Sequence, residues 1–207
     1  LYVMGCGAWT TVPWFSRAFR DGDKGLKMAQ QVGDRIQEGC GYSYIGWAAY
    51  LDNNPKIGYE YGQKGLTMLK ESGEYWSVGV GYTARAYTDC YMGRLKEGLE
   101  EVEEFISVCK EANSLQSLGW GYYHKAKMRC FNGELEDETV KILEEAIKIA
   151  KDTSDTPNVM HEPGMIGFVY LRRKDYANAL KYAEYSLGLF PTHFGSGVWT
   201  LETFHIG

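Results

Sequence analysis

One stretch of this chain is copied forty residues further on, and a period between 20 and 50 residues restricts the fold more than any other sequence feature. Gly22 to Asp34, GDKGLKMAQQVGD, recurs at Gly62 to Glu74 as GQKGLTMLKESGE, with Gly22/Gly62, Lys24/Lys64, Gly25/Gly65, Leu26/Leu66, Met28/Met68 and Gly33/Gly73 in register. The same offset links GCGY at Gly39, GVGY at Gly79 and GWGY at Gly119, and it links Cys90-Tyr91-Met92-Gly93-Arg94-Leu95 to Cys130-Phe131-Asn132-Gly133-Glu134-Leu135. One residue is inserted near Glu136, after which Val102/Leu143 and Ile106/Ile147 stand 41 apart. The chain holds 25 glycines and only 5 prolines. Sixteen of those glycines fall into this register, so the excess belongs to an architecture and not to a flexible linker.

Each unit reads as two helices. In EGLEEVEEFISVCK, Leu99, Val102, Phe105, Ile106 and Cys109 recur at three- and four-residue spacing, as do Val140, Leu143, Ile147 and Ala150 one unit later. Between a second helix and the next first helix stand Gly33-Asp34, Gly73-Glu74, Asn113-Ser114 and Ser154-Asp155-Thr156-Pro157. Gly or Asn takes the left-handed position past a helix end, Asp or Ser caps the next start, and Pro suits a first turn. The first helices are therefore expected over 34–52, 74–92, 114–132 and 156–173. No strand alternation occurs. The expected fold is all-α: a right-handed superhelical solenoid of antiparallel helix pairs, about four full repeats with partial ends. The repeats run 1–33, 34–73, 74–113, 114–154 and 155–191, with a partial one over 192–207, in one continuous array spanning 1–207.

The fourth unit carries a family pattern. GFVYLRRKDYANALKYAEYSLGLFP, from Gly167, resembles the tetratricopeptide repeat in small Gly167, in Tyr170, in the Asp175-Tyr176 turn, in Ala179-Leu180 and in closing Pro191. Gly46, Ala86 and Ala126 take the small position in the other units. The period exceeds the 34 residues of the standard repeat. That implies longer helices, similar to the extended tetratricopeptide-like segments of bacterial signalling ATPases, nucleotide cyclases and maltose-regulator-type activators. The resemblance implies first helices lining a concave groove and second helices forming the outer wall.

A formal net charge of −5 offers no basic footprint for nucleic acid. No run of about 20 apolar residues suits a membrane, and no signal segment opens the chain, so a cytoplasmic location is expected. Five cysteines without a CxxC pair suggest neither disulfides nor a zinc ribbon. The chain opens at Leu1, and both ends, LYVMGCGAWTTVPWF and FGSGVWTLETFHIG, are apolar where a solenoid needs polar caps. A fragment of a longer protein is therefore expected, its ends docking on flanking repeats or serving as self-association surfaces.

The GxG triplets lack the preceding strand and third glycine of a dinucleotide site, so close helix packing explains them. Cys90 and Cys130, equivalent positions, have only His124 and His161 nearby as further ligands, and read as buried or half-buried small residues without metal. The Glu97–Glu104 and Glu134–Glu145 carboxylates read as the solvated face of second helices. No catalytic motif is present, and no cofactor is expected. Aromatic residues are the stronger lead. Carried through the register, the concave face comprises Tyr44, Trp47, Tyr50, Tyr87, Tyr91, Tyr123, Lys127, Phe131, Phe168 and Arg172, residue types enriched at binding hot spots. Rings at helical spacing also pack against one another as core, leaving no open groove. The expected role is a non-enzymatic interaction or scaffold module of a larger signalling protein, its partner a peptide, a protein or a neighbouring domain. A small-molecule sensor and a self-assembling array are the alternatives.

Overall fold

The computed structural model describes Cys6, residues 14–73 and residues 75–189. Among the described residues there is no strand, and nine helices follow one another: α1 Phe15–Val32, α2 Arg35–Leu51, α3 Pro55–Ser72, α4 Tyr75–Tyr91, α5 Leu95–Glu111, α6 Leu115–Phe131, α7 Asp137–Asp152, α8 Thr156–Arg172 and α9 Tyr176–Leu189. The first helices expected from sequence match α2, α4, α6 and α8. Glu74, Pro191 and nearly all of both apolar end segments lie outside the described residues.

What ends each of α1 to α8 is a single residue of positive φ: Gly33, Asn53, Gly73, Gly93, Asn113, Gly133, Ser154 and Lys174. Their spacing is twenty throughout, with one step of 21 at the insertion between Gly133 and Ser154. At Gly33 the absence of a Cβ makes φ of 71° inexpensive, whereas Lys174 at 62° bears a cost of about 1 kcal/mol. The geometry recovers orphan carbonyls: Asp34 N–H returns to Ala29 O at 2.9 Å, Ser114 N–H to Cys109 O at 3.0 Å and Asp175 N–H to Tyr170 O at 2.9 Å. Starts are capped as expected at Asp34, whose carboxylate accepts from Gln37 N–H at 3.0 Å, and at Asp155, which accepts from Asn158 N–H at 3.4 Å.

The chain divides into two compact units, residues 1–108 and 109–207. In the first, glycine brings backbones together. A Cβ on Gly46 of α2 would lie 2.7 Å from Gly62 N and 3.0 Å from Gly58 O of α3, and one on Gly65 would lie 2.6 Å from Ser43 N. A Cβ on Gly98 of α5 would lie equally close to Ala86 O of α4, at 2.6 Å. The space above Gly79 is filled by the Phe105 ring, which also packs on Tyr82 at 5.5 Å. Around these contacts Leu66, Leu69, Val78, Tyr82 and Val102 are fully buried, each aliphatic side chain contributing about 1.5–3 kcal/mol.

In the second unit the core joins Tyr123, Ala126 and Cys130 of α6, Val140 and Leu143 of α7, and Met165, Ile166 and Val169 of α8. Gly167 lets α8 settle on α9, with Ala179 O 3.3 Å from where its Cβ would be, and Tyr170 stacks on Tyr182 at 5.7 Å. This is the small-residue role expected of Gly167. The first helices α6 and α8 touch over a shorter stretch than their counterparts α2 and α4 in the first unit. The same turn is pinned in both units by charge of opposite order: Arg94 pairs with Asp89, and forty residues on Glu134 pairs with Arg129 at 3.1 Å.

Replacing Gly46 by Ala should destabilise the chain by about 1–3 kcal/mol through overpacking against backbone, although the same change in an open helix gains up to about 1 kcal/mol. Gly188, which has nothing within 4 Å of its missing Cβ, is the matched control and should be neutral or stabilised as Ala. Urea unfolding midpoints test both; equal effects at the two sites would contradict the close-contact account.

Candidate functional site

In the first unit α2 supplies Tyr44, Trp47 and Tyr50, and α4 supplies Tyr87 and Tyr91. Trp47, Tyr50 and Tyr87 form a triangle with ring centroids 5.4, 5.6 and 5.5 Å apart, the Trp47–Tyr87 contact edge-to-face. Tyr44 and Tyr87 are buried, Trp47 and Tyr50 half-buried, and Tyr91 is exposed, its hydroxyl bonded to Asn53. The rings thus share their surface between mutual packing and solvent.

In the second unit Tyr123 and Lys127 are buried, Phe131 and Phe168 half-buried, and Arg172 is exposed with its guanidinium 5.8 Å from the Phe168 ring. Lys127 stands 5.8 Å from the Tyr123 ring. These belong to a larger polar layer. Asp155, the α8 cap, also accepts from Trp120 Nε1 at 3.1 Å, Gln116 Nε2 at 3.3 Å and Asn158 Nδ2 at 2.9 Å. His124 lies between Trp120 at 5.4 Å and Tyr123 at 5.2 Å, and Tyr123 in turn meets His161 of α8 at 6.4 Å. Glu162 is completely buried, and neither carboxyl oxygen has a hydrogen-bond partner.

Burial dominates the electrostatics of this layer. It drives the His124 imidazole down to about 3, with the positive charge of Lys127 and the neighbouring His161 adding to the effect. It drives His161 down to about 4, Lys127 again contributing. The Glu162 carboxyl is pushed up to about 9, first by burial and then by Asp155. Glu162 went unnoticed in the sequence because it stands where the motif lapses: Gly41, Gly81 and Gly121 lead in register to this residue. The sequence marks His124 and His161 only as conceivable metal ligands, and among the described residues no group of three His, Cys, Asp or Glu side chains is placed to hold a metal. Cys90 is half-buried and Cys130 buried.

The carboxylates of α5 correct one expectation. Glu101 is mostly buried and paired with Arg85, so it ties helices together and does not stand on a solvated face, whereas Glu104 is exposed as expected and pairs with Lys70 at 2.5 Å. With Tyr59, Asp89, Arg94, Glu97 and Glu100 they line a cleft of about 300 Å³ within the first unit.

The buried groups set the pH response. Between about 4.5 and 9 the folded chain holds a proton on Glu162 that the unfolded chain releases, so stability falls as pH rises through this window. The imidazoles act in the opposite sense: below about 6.5 the unfolded chain binds protons that His161 and His124 refuse until about 4 and 3, so stability also falls toward acid. Glu162→Gln should remove the alkaline loss. The parent Tm should drop between about pH 6 and 8.5 while that of the variant stays level, one proton corresponding to at most about 1.4 kcal/mol per pH unit. Parallel slopes in the two proteins would contradict this.

No family model matches the chain, and no curated protein matches it. Solved structures do. A Rap protein complexed with competence and sporulation factor superposes with a TM-score of 0.79 over 96% of this chain at 11% identity, and aspartyl phosphate phosphatase F from Bacillus subtilis with 0.73 over 98% at 11%. The chain spans about half of each, 54% and 52%. The nearly identical TPR-like repeats of a Podosopora anserina kinesin light chain match with a TM-score of 0.62 over 92% of this chain and 93% of their own length, at 12% identity. Similarity at this level of identity reports fold, and the fold agrees with the repeat read from the residues: the chain folds as a tetratricopeptide-like helical repeat.

Proposed function

We propose that this chain is a non-enzymatic recognition module of a larger signalling or regulatory protein in the cytoplasm, binding a peptide or protein segment on the faces of its first helices. The observation that carries this reading is the placement of accessible rings and cations on those helices in each unit. Tyr91 is exposed and Trp47 and Tyr50 are partly so in the first unit, and Arg172 is exposed and Phe131 and Phe168 are partly so in the second. Such side chains offer large contact area with a polar handle at low entropic cost, and they dominate measured interface energies. The buried members, Tyr44, Tyr87, Tyr123 and Lys127, act as the floor that holds the accessible ones in place. The complex of a Rap protein with competence and sporulation factor supports the reading, since a protein that shares this fold was solved with a partner bound.

Random-peptide display against the folded chain supplies the test. Enriched peptides should lose at least tenfold in affinity, about 1.4 kcal/mol, on Tyr91→Ala or Arg172→Ala, with Tm unchanged because both side chains are exposed. Tyr87→Ala and Tyr123→Ala are unsuitable probes, as truncating a buried ring costs about 3–5 kcal/mol of stability. Failure to enrich any peptide, or enrichment indifferent to both exposed variants, would overturn the proposal.

A further inference from the structure

A second helix meets the first helix that follows it along one stripe, and the contacts within each unit show where that stripe lies. On α3, a Cβ on Gly62 would lie 3.3 Å from Ala84 Cβ of α4, and Leu66 Cβ lies 3.1 Å from where a Cβ on Gly81 would be. On α7 the equivalent of Gly62 is Leu143, fully buried in a core with Met165, Ile166 and Val169 of α8. Each of these stripes is closed by the next first helix in the chain.

Carried on to α9, the register puts Ala183 at the position of Gly62, Val102 and Leu143, and Leu187 at that of Leu66 and Ile106. Here the stripe stands open. Leu66 and Ile106 are 1% and 3% exposed, whereas Leu187 is 63% exposed, and Leu180, about one turn before Ala183, is 61% exposed. Ala183 is exposed between them. A different side of the helix is used on α8, where Ala179 O and Tyr182 Cβ lie 3.3 and 3.5 Å from where a Cβ on Gly167 would be. A contiguous apolar stripe at the end of a solenoid, in positions that earlier repeats bury, marks a surface made to be covered.

The sequence supplies the cover. Residues 190–207 follow α9 and lie outside the described residues. Among them Gly195-Ser196 repeats the stop-and-start pairs Gly33-Asp34 and Ser154-Asp155, and stands 41 residues after the latter. The same offset puts Thr203 in register with Gly81 and Glu162, and Ile206 in register with Ala84 and Met165. These are the positions that meet Leu66 and Gly62 one unit earlier. As a helix, 196–207 would extend about 18 Å, longer than the roughly 10 Å from Leu180 to Leu187. We propose that residues 196–207 of this chain dock on the Leu180–Ala183–Leu187 stripe of α9 as the first helix of a further repeat, with Thr203 against Leu187 and Ile206 against Ala183. Burial of the two leucines drives the docking, and the covered stripe is then closed to a second copy of the chain.

Photocrosslinking on the full chain identifies the occupant. The photoreactive residue is introduced as Leu180→p-benzoylphenylalanine, and trypsin, which cuts after Lys174 and Lys181 and nowhere beyond, separates the labelled peptide from residues 182–207. The expected product is a species of monomer mass with the label joined within 196–207, in several-fold higher yield than with the label at Ala177, which is exposed on α9 about a quarter turn from the stripe. Equal yields at the two sites overturn the proposal, as does a product of twice the chain mass, which would put a second copy on the stripe. Stability supplies a second measurement. Leu187→Ala should lower the Tm by about 5 °C or more, as loss of a buried leucine does in a chain of this size, whereas Tyr185→Ala, on the other side of α9, should leave it unchanged. A Tm indifferent to Leu187→Ala also overturns the proposal, and the crosslink decides where that variant does not fold. Peptide binding by the first helices is unaffected by any of these outcomes, so the two proposals stand or fall separately.

Discussion

A left-handed residue every twenty positions is the constraint on which the rest depends. It turns the backbone out of each helix while its flanking N–H groups recover the last carbonyls, so each helix has one length and the next begins in the same place. Equal helices joined by equal turns leave little freedom beyond how closely neighbours approach, and glycine determines that within the first unit. Where Gly46 faces Gly58 and Gly62, two backbones touch and no side chain could intervene.

The same regularity makes the second unit conspicuous. Its core is aliphatic and ordinary, but its first-helix layer trades the small and aromatic residues of earlier repeats for a lysine, two histidines and a glutamate. Larger polar side chains accompany a shorter stretch of contact between α6 and α8 than between α2 and α4. One register position therefore serves two ends: where the first unit needs glycine for close approach at Gly41 and Gly81, the second holds the buried carboxyl of Glu162.

The helix pairs, their boundaries and their stops were legible because each rests on local chemistry. Gly33-Asp34 and Ser154-Asp155 announce a stop and a start whatever surrounds them, and Gly167 declares a close contact by its place in the motif. The candidate surface was legible only in part. The register put Trp47, Tyr87 and Lys127 on one face, yet how far each ring turns inward depends on helix spacing, which no single segment encodes; Tyr87 ended buried and Tyr91 exposed. Glu162 was hidden for a different reason: a glutamate where GxGY should recur looks like decay of a repeat until its burial is known. Glu101 misled in the opposite direction, lying among exposed neighbours on α5 while reaching Arg85.

Amide hydrogen exchange on the full chain, with and without a peptide enriched from display, tests most directly the claim that the first helices are the recognition surface. Protection should rise on α6 and α8, or on α2 and α4, while α3, α7 and α9 exchange as before. Protection confined to the second helices would contradict the account.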